Sequence, residues 1–208
     1  MTNMKLLTTG FGEFPGVPIN LTGDLVAEWR ENQPNWPFSA MYFEVLPTSY
    51  EHAGARVARL IQDLDPDHVL MLGIGGVRGT IQLERFAVNI DDSILADVFG
   101  EVRQGLPIAS DCPAALMTRT DLVRLRDLLV SKGTLAEISN HAGSYVCNHA
   151  YFVALREAAL AKKLTRVLFA HLPGGYEIAL PEQRGTLTAR ARQAIAELAH
   201  QLAVVDRP

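Results

Sequence analysis

The chain has 208 residues, of which 48% are hydrophobic and 20% charged, with a net charge of −4. This is ordinary globular composition, and with acidic and basic residues interspersed it argues against a disordered tail or a nucleic-acid-binding surface. No run approaches the roughly 20 apolar residues that span a bilayer, the N-terminal MTNMKLLTTG is too short and too interrupted for a signal peptide, and two cysteines do not make a disulfide framework. The expectation is one domain over residues 1–208, free thiols, and a reducing cytoplasm.

In chain order, strands are expected at Lys5–Thr9, Ala40–Leu46, His68–Ile74, Thr80–Ile90, Leu135–Ser139 and Arg166–His171. Helices are expected at Leu21–Glu31, Tyr50–Leu64, Thr120–Ser131, Cys147–Lys162 and Thr188–Leu202. Ala53, Val57, Leu60, Ile61 and Leu64 recur at helical spacing, as do Ala191, Ile195, Leu198 and Leu202. Asp91–Thr118 has weak periodicity and reads as a surface excursion. Strands alternating with helices imply an α/β fold with a mainly parallel sheet covered on both faces. Ligand sites in such folds lie beyond the carboxyl ends of the strands, which draws attention to the segments after Thr9, around Gly73 and at His171.

GIGGVRG, residues 73 to 79, has Arg78 where a dinucleotide fingerprint needs its third glycine, and it is followed by a strand pattern instead of a helix. It reads as a tight turn or as a place where backbone approaches a small ligand closely, at Gly73 and Gly75.

Cys147 follows the turn Ala142-Gly143-Ser144 and opens AYFVALREAALAKK, which has good helix chemistry. A cysteine in a first helical turn sits among unpaired N–H groups that favour thiolate; a small buried hydrophobe is the ordinary alternative. Zinc needs three or four ligands, and Cys147 and His149, two apart on a helix, point in different directions, which also makes His149 a poor base for this thiol. Cys112, in SDCPAAL, reads as a packed or loop thiol. His171, at the carboxyl end of a strand, is the leading base, with His141 second; His52, His68 and His200 read as solvated. Glu84 lies in the alternating TIQLERFAVN, where a carboxylate ordinarily faces solvent, but it is the group that could orient an imidazole. Together Cys147, His171 and Glu84 fill the roles of nucleophile, base and orienter.

GFGEFPGVPIN, GIGGVRGTIQLERFAVN, ISNHAGSYVCN and LFAHLP occur in that order, and the chain resembles the pyrrolidone-carboxylate peptidases, or pyroglutamyl peptidases of type I, nearly throughout. The resemblance implies a single-domain α/β/α sandwich with a twisted, mainly parallel sheet. It implies a cytoplasmic cysteine peptidase, a homo-oligomer (tetramer or dimer), that removes N-terminal pyroglutamate from peptides without metal or cofactor. Carried over by position, Cys147 is nucleophile, His171 base and Glu84 orienting acid, while Phe11 and Phe14 hold the pyrrolidone ring and Asn20 stands beside that pocket. Backbone groups near Gly73 and Gly75 suit the lactam N–H and C=O. Three departures stand out. Ile94 occupies the place of a usual arginine in an AR-IPDN stretch, Gln82 replaces a serine or threonine, and His141 replaces a small hydroxyl residue. These point to a peptidase of lowered rate or altered preference, with a lactam-binding protein or an amidase for another blocked N-terminus as alternatives.

Overall fold

A computed structural model describes residues 3–76, 79–161, 163–176 and 179–205. Val77 and Arg78 of the glycine segment and Lys162 of the expected helix therefore lie outside the described residues. The elements in chain order are β1 (Lys5–Phe11), α1 (Leu21–Glu31), β2 (Ala40–Leu46), α2 (Tyr50–Leu64), β3 (His68–Gly76), β4 (Ile81–Glu84), β5 (Phe86–Val88), β6 (Ala115–Met117), α3 (Leu122–Ser131), β7 (Ala136–Ser139), α4 (Val146–Leu160), β8 (Arg166–Pro173) and α5 (Pro181–Val205).

The central sheet has six strands in the order β2-β1-β3-β8-β4-β7. β2, β1, β3 and β8 run parallel; β4 is antiparallel to β8 and parallel to β7. Residue parity along the strands sorts side chains onto two faces. Leu6, Leu70, Leu72, Leu168, Ala170 and Leu172 join α1, α3 and α5 in one core. Leu7, Val69, Met71, Val167 and Phe169 join α2 and α4 in the other. The outcome is a helix–sheet–helix sandwich with a core on each side.

Three expectations need correction. The expected strand Thr80–Ile90 breaks at Arg85, whose N–H donates to the Ser139 carbonyl and whose carbonyl accepts from Thr118 N–H. The chain thereby leaves the main sheet as β4 and enters a separate two-stranded sheet, β5 with β6, inside the stretch read as an irregular excursion. α5 begins at Pro181, seven residues before the expected start at Thr188, because proline is well placed in a first helical turn and the early turns carry mainly polar residues. His68 is buried beside Phe38 instead of solvated, and burial, then the nearby Arg166 charge, lowers its pKa to about 4.

Candidate active site

Parity determines the first half of the site. His171 lies on β8 two residues beyond Phe169, so its ring faces the α4 side of the sheet, and Glu84 lies on β4 with its side chain on that same face, opposite the set of Ile81 and Leu83. The register opposes Gln82 to His171 and Glu84 to Phe169, leaving Glu84 diagonal to the histidine. The two side chains meet there, with His171 Nδ1 2.7 Å from Glu84 Oε1. Glu84, which alternation alone would send to solvent, is 1% exposed, and His171 is 8% exposed. Phe169 packs under the imidazole with ring centroids 4.7 Å apart.

Gly73 opposes His171 in the β3–β8 register. A Cβ there would come within 2.8 Å of the Phe169 ring and 2.9 Å of His171 Cδ2. The glycine thus makes room for the protein's own histidine, a use the sequence reading did not separate from ligand approach. Gly75 has φ +147°, a backbone conformation that favours glycine, at an irregularity in the β3–β8 pairing.

The second half comes from α4. Val146 is its first residue, so Cys147 sits in the first turn as expected. α1, α2 and α3 are capped by the side chains of Asn20, Ser49 and Asp121, whereas Tyr145 supplies α4 with no side-chain cap. The first intrahelical acceptor is the Tyr145 carbonyl, taken by His149 N–H at 3.1 Å. The N–H groups of Val146, Cys147 and Asn148 precede it, and such groups suit an anion or oxyanion. Burial would lower the His171 pKa, but interaction with the Cys147 thiol and then with the Glu84 carboxylate outweighs it, raising the imidazole to about 9. Cys147, His171 and Glu84 therefore form one electrostatic unit.

The ring-binding candidates fall in different settings. Phe11 is buried at the end of β1, 6.2 Å from Phe169 by ring centroids. Phe14 is half-buried, with its ring 6.1 Å from Tyr145, just ahead of the cysteine. The Asn20 amide is spent on loop shape: Oδ1 accepts from Thr22 N and Thr22 Oγ1 at 3.2 and 2.8 Å, and Nδ2 donates to the Gly12 carbonyl at 2.9 Å. Ile94 is 81% exposed, so position 94 offers a bare apolar side chain where a cation was expected. His141 is exposed in its turn, its Nδ1 accepting from Gly143 N–H at 3.2 Å, and no described hydrogen bond or ion pair joins it to Cys147. Gln82 pairs with Glu137 at 3.0 Å, and Cys112 is a half-buried loop thiol.

Two fastenings escaped the sequence reading. Asn148 accepts from Val88 N–H at 2.8 Å and donates to the Val88 and Ile90 carbonyls at 2.9 and 3.2 Å. His149 Nδ1 lies 2.8 Å from Asp91 Oδ2, which also receives Arg103 at 3.0 Å. The available signal was the position of both residues directly after Cys147, where side chains on the buried flank of the turn must meet whatever segment packs there.

The model of the pyroglutamyl peptidase family matches residues 4–202. A pyrrolidone-carboxylate peptidase of Pseudomonas fluorescens is 33% identical, covering 86% of this chain and 80% of its own. One from Thermococcus kodakarensis is 31% identical over 98% of this chain and 97% of its own. Among solved structures, pyroglutamyl peptidase I from Bacillus amyloliquefaciens superposes with a TM-score of 0.83 at 27% identity, covering 98% of this chain and 96% of that one. The pyrrolidone carboxyl peptidase of Thermococcus litoralis gives 0.83 at 27% identity, covering 97% and 93%. With its sequence matched by the family model over residues 4–202 and its fold matched over nearly its whole length, the chain belongs to the pyroglutamyl peptidase family.

Proposed function

We propose that the chain is a cysteine peptidase that removes N-terminal pyroglutamate from peptides, acting as one peptidase domain, with Cys147 as nucleophile, His171 as acid and base, and Glu84 as orienting acid. The observation that carries this reading is the buried His171–Glu84 bond of 2.7 Å, on an imidazole whose pKa the Cys147 thiol also raises.

The chemistry follows from those placements. Glu84 accepts the Nδ1 proton, which fixes the ring and turns Nε2 toward the reaction. Paired with imidazolium, the Cys147 thiolate attacks the carbonyl carbon of the pyroglutamyl residue. The oxyanion forms beside the free N–H groups of the first α4 turn. His171 gives its proton to the departing amine, leaving a thioester, and then takes a proton from water as water attacks that thioester and releases pyroglutamate. Each step draws on side chains, backbone and water.

A pyroglutamyl ring is a neutral lactam, so its pocket needs apolar walls and a few amide partners instead of a carboxylate for an ammonium group. Phe14 and Phe11 are suited to the walls, since one ring adjoins Tyr145 and the other reaches His171 through Phe169. Asn20 supports that pocket indirectly, by holding the loop that carries Phe14. Backbone groups at Gly73 and Gly75 are assigned to the lactam. A dimer or tetramer in a reducing cytoplasm completes the reading; Ile94, Leu95, Phe99 and Leu106 expose apolar surface on one stretch, as self-associating proteins do. Light scattering reads the assembly directly.

The test is release of a fluorophore from a pyroglutamyl amide by reduced protein, with Cys147→Ser as control. Turnover by the parent alone supports the assignment. Tight lactam binding without turnover would replace it with a receptor, and preference for a non-lactam acyl amide would replace it with an amidase.

A further inference from the structure

We propose that Tyr151 is a positioning residue: it fastens the main chain of Glu84 to the helix that carries Cys147 and so aligns acid and base toward the thiol. This rests on the Cys147–His171–Glu84 reading above.

Tyr151 lies four residues after Cys147 on α4, one turn along the same face. It is fully buried, at 0% exposure. Its hydroxyl donates to the Glu84 carbonyl at 3.0 Å. Its ring packs on Phe169 with centroids 5.5 Å apart, and Phe169 in turn packs on His171 at 4.7 Å. One side chain from the nucleophile's helix therefore touches the acid directly and the base through a single ring.

Glu84 has particular need of such a fastening. It is the last residue of β4, and the next residue leaves for the second sheet. Its carboxylate has one anchor, His171 on Oε1, while Oε2 is buried with no hydrogen-bond partner among the described residues. With so few side-chain bonds, the direction of the carboxylate follows its backbone. The other described hydrogen bonds from α4 to this region, Asn148 to Val88 and Ile90 and His149 to Asp91, hold the segment beyond Arg85 and not β4 itself. Burial raises the Tyr151 pKa against opposing interactions with the Thr118 hydroxyl and the Phe169 backbone, the Glu84 charge adding to the rise, so its hydroxyl remains a donor across the working range of the site. Any change in pH behaviour on removing it must come from the groups it places.

The experiment compares Tyr151→Phe with its parent, both carrying Cys112→Ser so that one cysteine remains. Two readouts are taken: kcat and KM on a pyroglutamyl amide, and the rate at which iodoacetate alkylates Cys147 as a function of pH. Iodoacetate is an anion, so its reaction with the thiolate slows when the neighbouring imidazolium loses its proton, whether or not the protein hydrolyses anything. The expected result is kcat down about 5- to 20-fold with KM within about twofold, and the alkaline limb of alkylation moved down by about half a unit or more, as a looser Glu84 holds the proton on His171 less firmly. A merely structural tyrosine would lower the melting temperature and leave that limb in place, and this result overturns the inference. A parent with no alkaline limb overturns the triad and the inference together. Should Tyr151→Phe unfold at the assay temperature, the same two readouts are taken in the cold with a stabilising osmolyte, and an unmoved limb there overturns the inference equally.

Discussion

Two buried histidine–carboxylate pairs, one set on β8 and β4 and the other joining α4 to Asp91, differ in what completes them. His171 and Glu84 are joined at 2.7 Å, His149 and Asp91 at 2.8 Å, each through Nδ1. Both carboxylates are essentially inaccessible, and each has one oxygen with no hydrogen-bond partner among the described residues. At His171 the third member is a thiol. At Asp91 it is the Arg103 guanidinium, which also lies over the Tyr50 ring at 4.8 Å. The free edge of the His149 ring is pressed on α2: a Cβ at Gly54 would come within 2.8 Å of His149 Nε2. An imidazole bonded to a buried carboxylate is thus not by itself a catalytic element. In the proposed mechanism it becomes one at His171, where its remaining nitrogen serves the thiol, whereas the remaining nitrogen of His149 faces the backbone of α2.

The largest effect should come from breaking the reactive pair at its nucleophile. Cys147→Ala is expected to lower kcat on a pyroglutamyl amide by about 10⁵-fold or more, since little remains but binding and backbone donors. Glu84→Gln keeps the shape but gives up the charge, and a loss of about 10²- to 10⁴-fold is expected. Its pH profile sharpens the comparison. In the parent, activity should fall as His171 loses its proton near about pH 9. The sign for stability is the same: the folded pKa lies above the ordinary 6.5, so the stabilisation from imidazolium is complete below about 6.5 and vanishes as pH rises through about 9. Glu84→Gln should shift both limits downward; an alkaline limit that stays in place would separate Glu84 from His171.

The sequence made the layers legible because β3 and β8 carry continuous apolar runs, VLML and VLFA, buried on both faces, and α2 and α5 carry a 3.6-residue apolar period. It also placed Cys147 in a first helical turn and His171 at a strand end. What it left open was Glu84. Alternation reports that side chains point to two faces, not that both faces are covered, and here α4 covers the face that alternation alone would leave wet. The break at Arg85 was hidden for a related reason. TIQLERFAVN alternates smoothly, whereas its partition between two sheets depends on Ser139 and Thr118, which are distant in sequence. Helical geometry makes His149 a poor base for Cys147, but its partner Asp91, with Arg103 behind it, sits in a stretch without periodicity and could be found only in three dimensions.

A smaller effect is expected from crowding the reactive pair without touching its chemistry. In Gly73→Ala the new methyl would stand 2.9 Å from His171 Cδ2 and 2.8 Å from the Phe169 ring, so the imidazole must move by some tenths of an ångström. Both rings are held by close neighbours, and displacement of a catalytic group on that scale costs about 10- to 100-fold in kcat. A variant with parental kcat would mean that the rings relax away from the Glu84–Cys147 line at no chemical cost.

The smallest effect on turnover, and the sharpest contrast, should come from the second pair. His149→Gln removes the ring from Asp91 and relieves its contact with Gly54, yet leaves Arg103 to hold the carboxylate. Turnover is expected to stay within about fivefold of the parent, with the alkaline limit near pH 9 unmoved, because no described hydrogen bond or ion pair joins this pair to Cys147 or His171. Stability should fall by about 1–3 kcal/mol in urea unfolding, the ordinary cost of leaving a buried carboxylate short of a partner. Asp91→Asn should cost a similar amount, about 1–3 kcal/mol, since it weakens the bonds to both His149 and Arg103 while Glu101 still holds the guanidinium at 2.7 Å. A His149→Gln protein that kept its stability but lost turnover would reverse the distinction, and would place the second pair in the reaction instead of behind it.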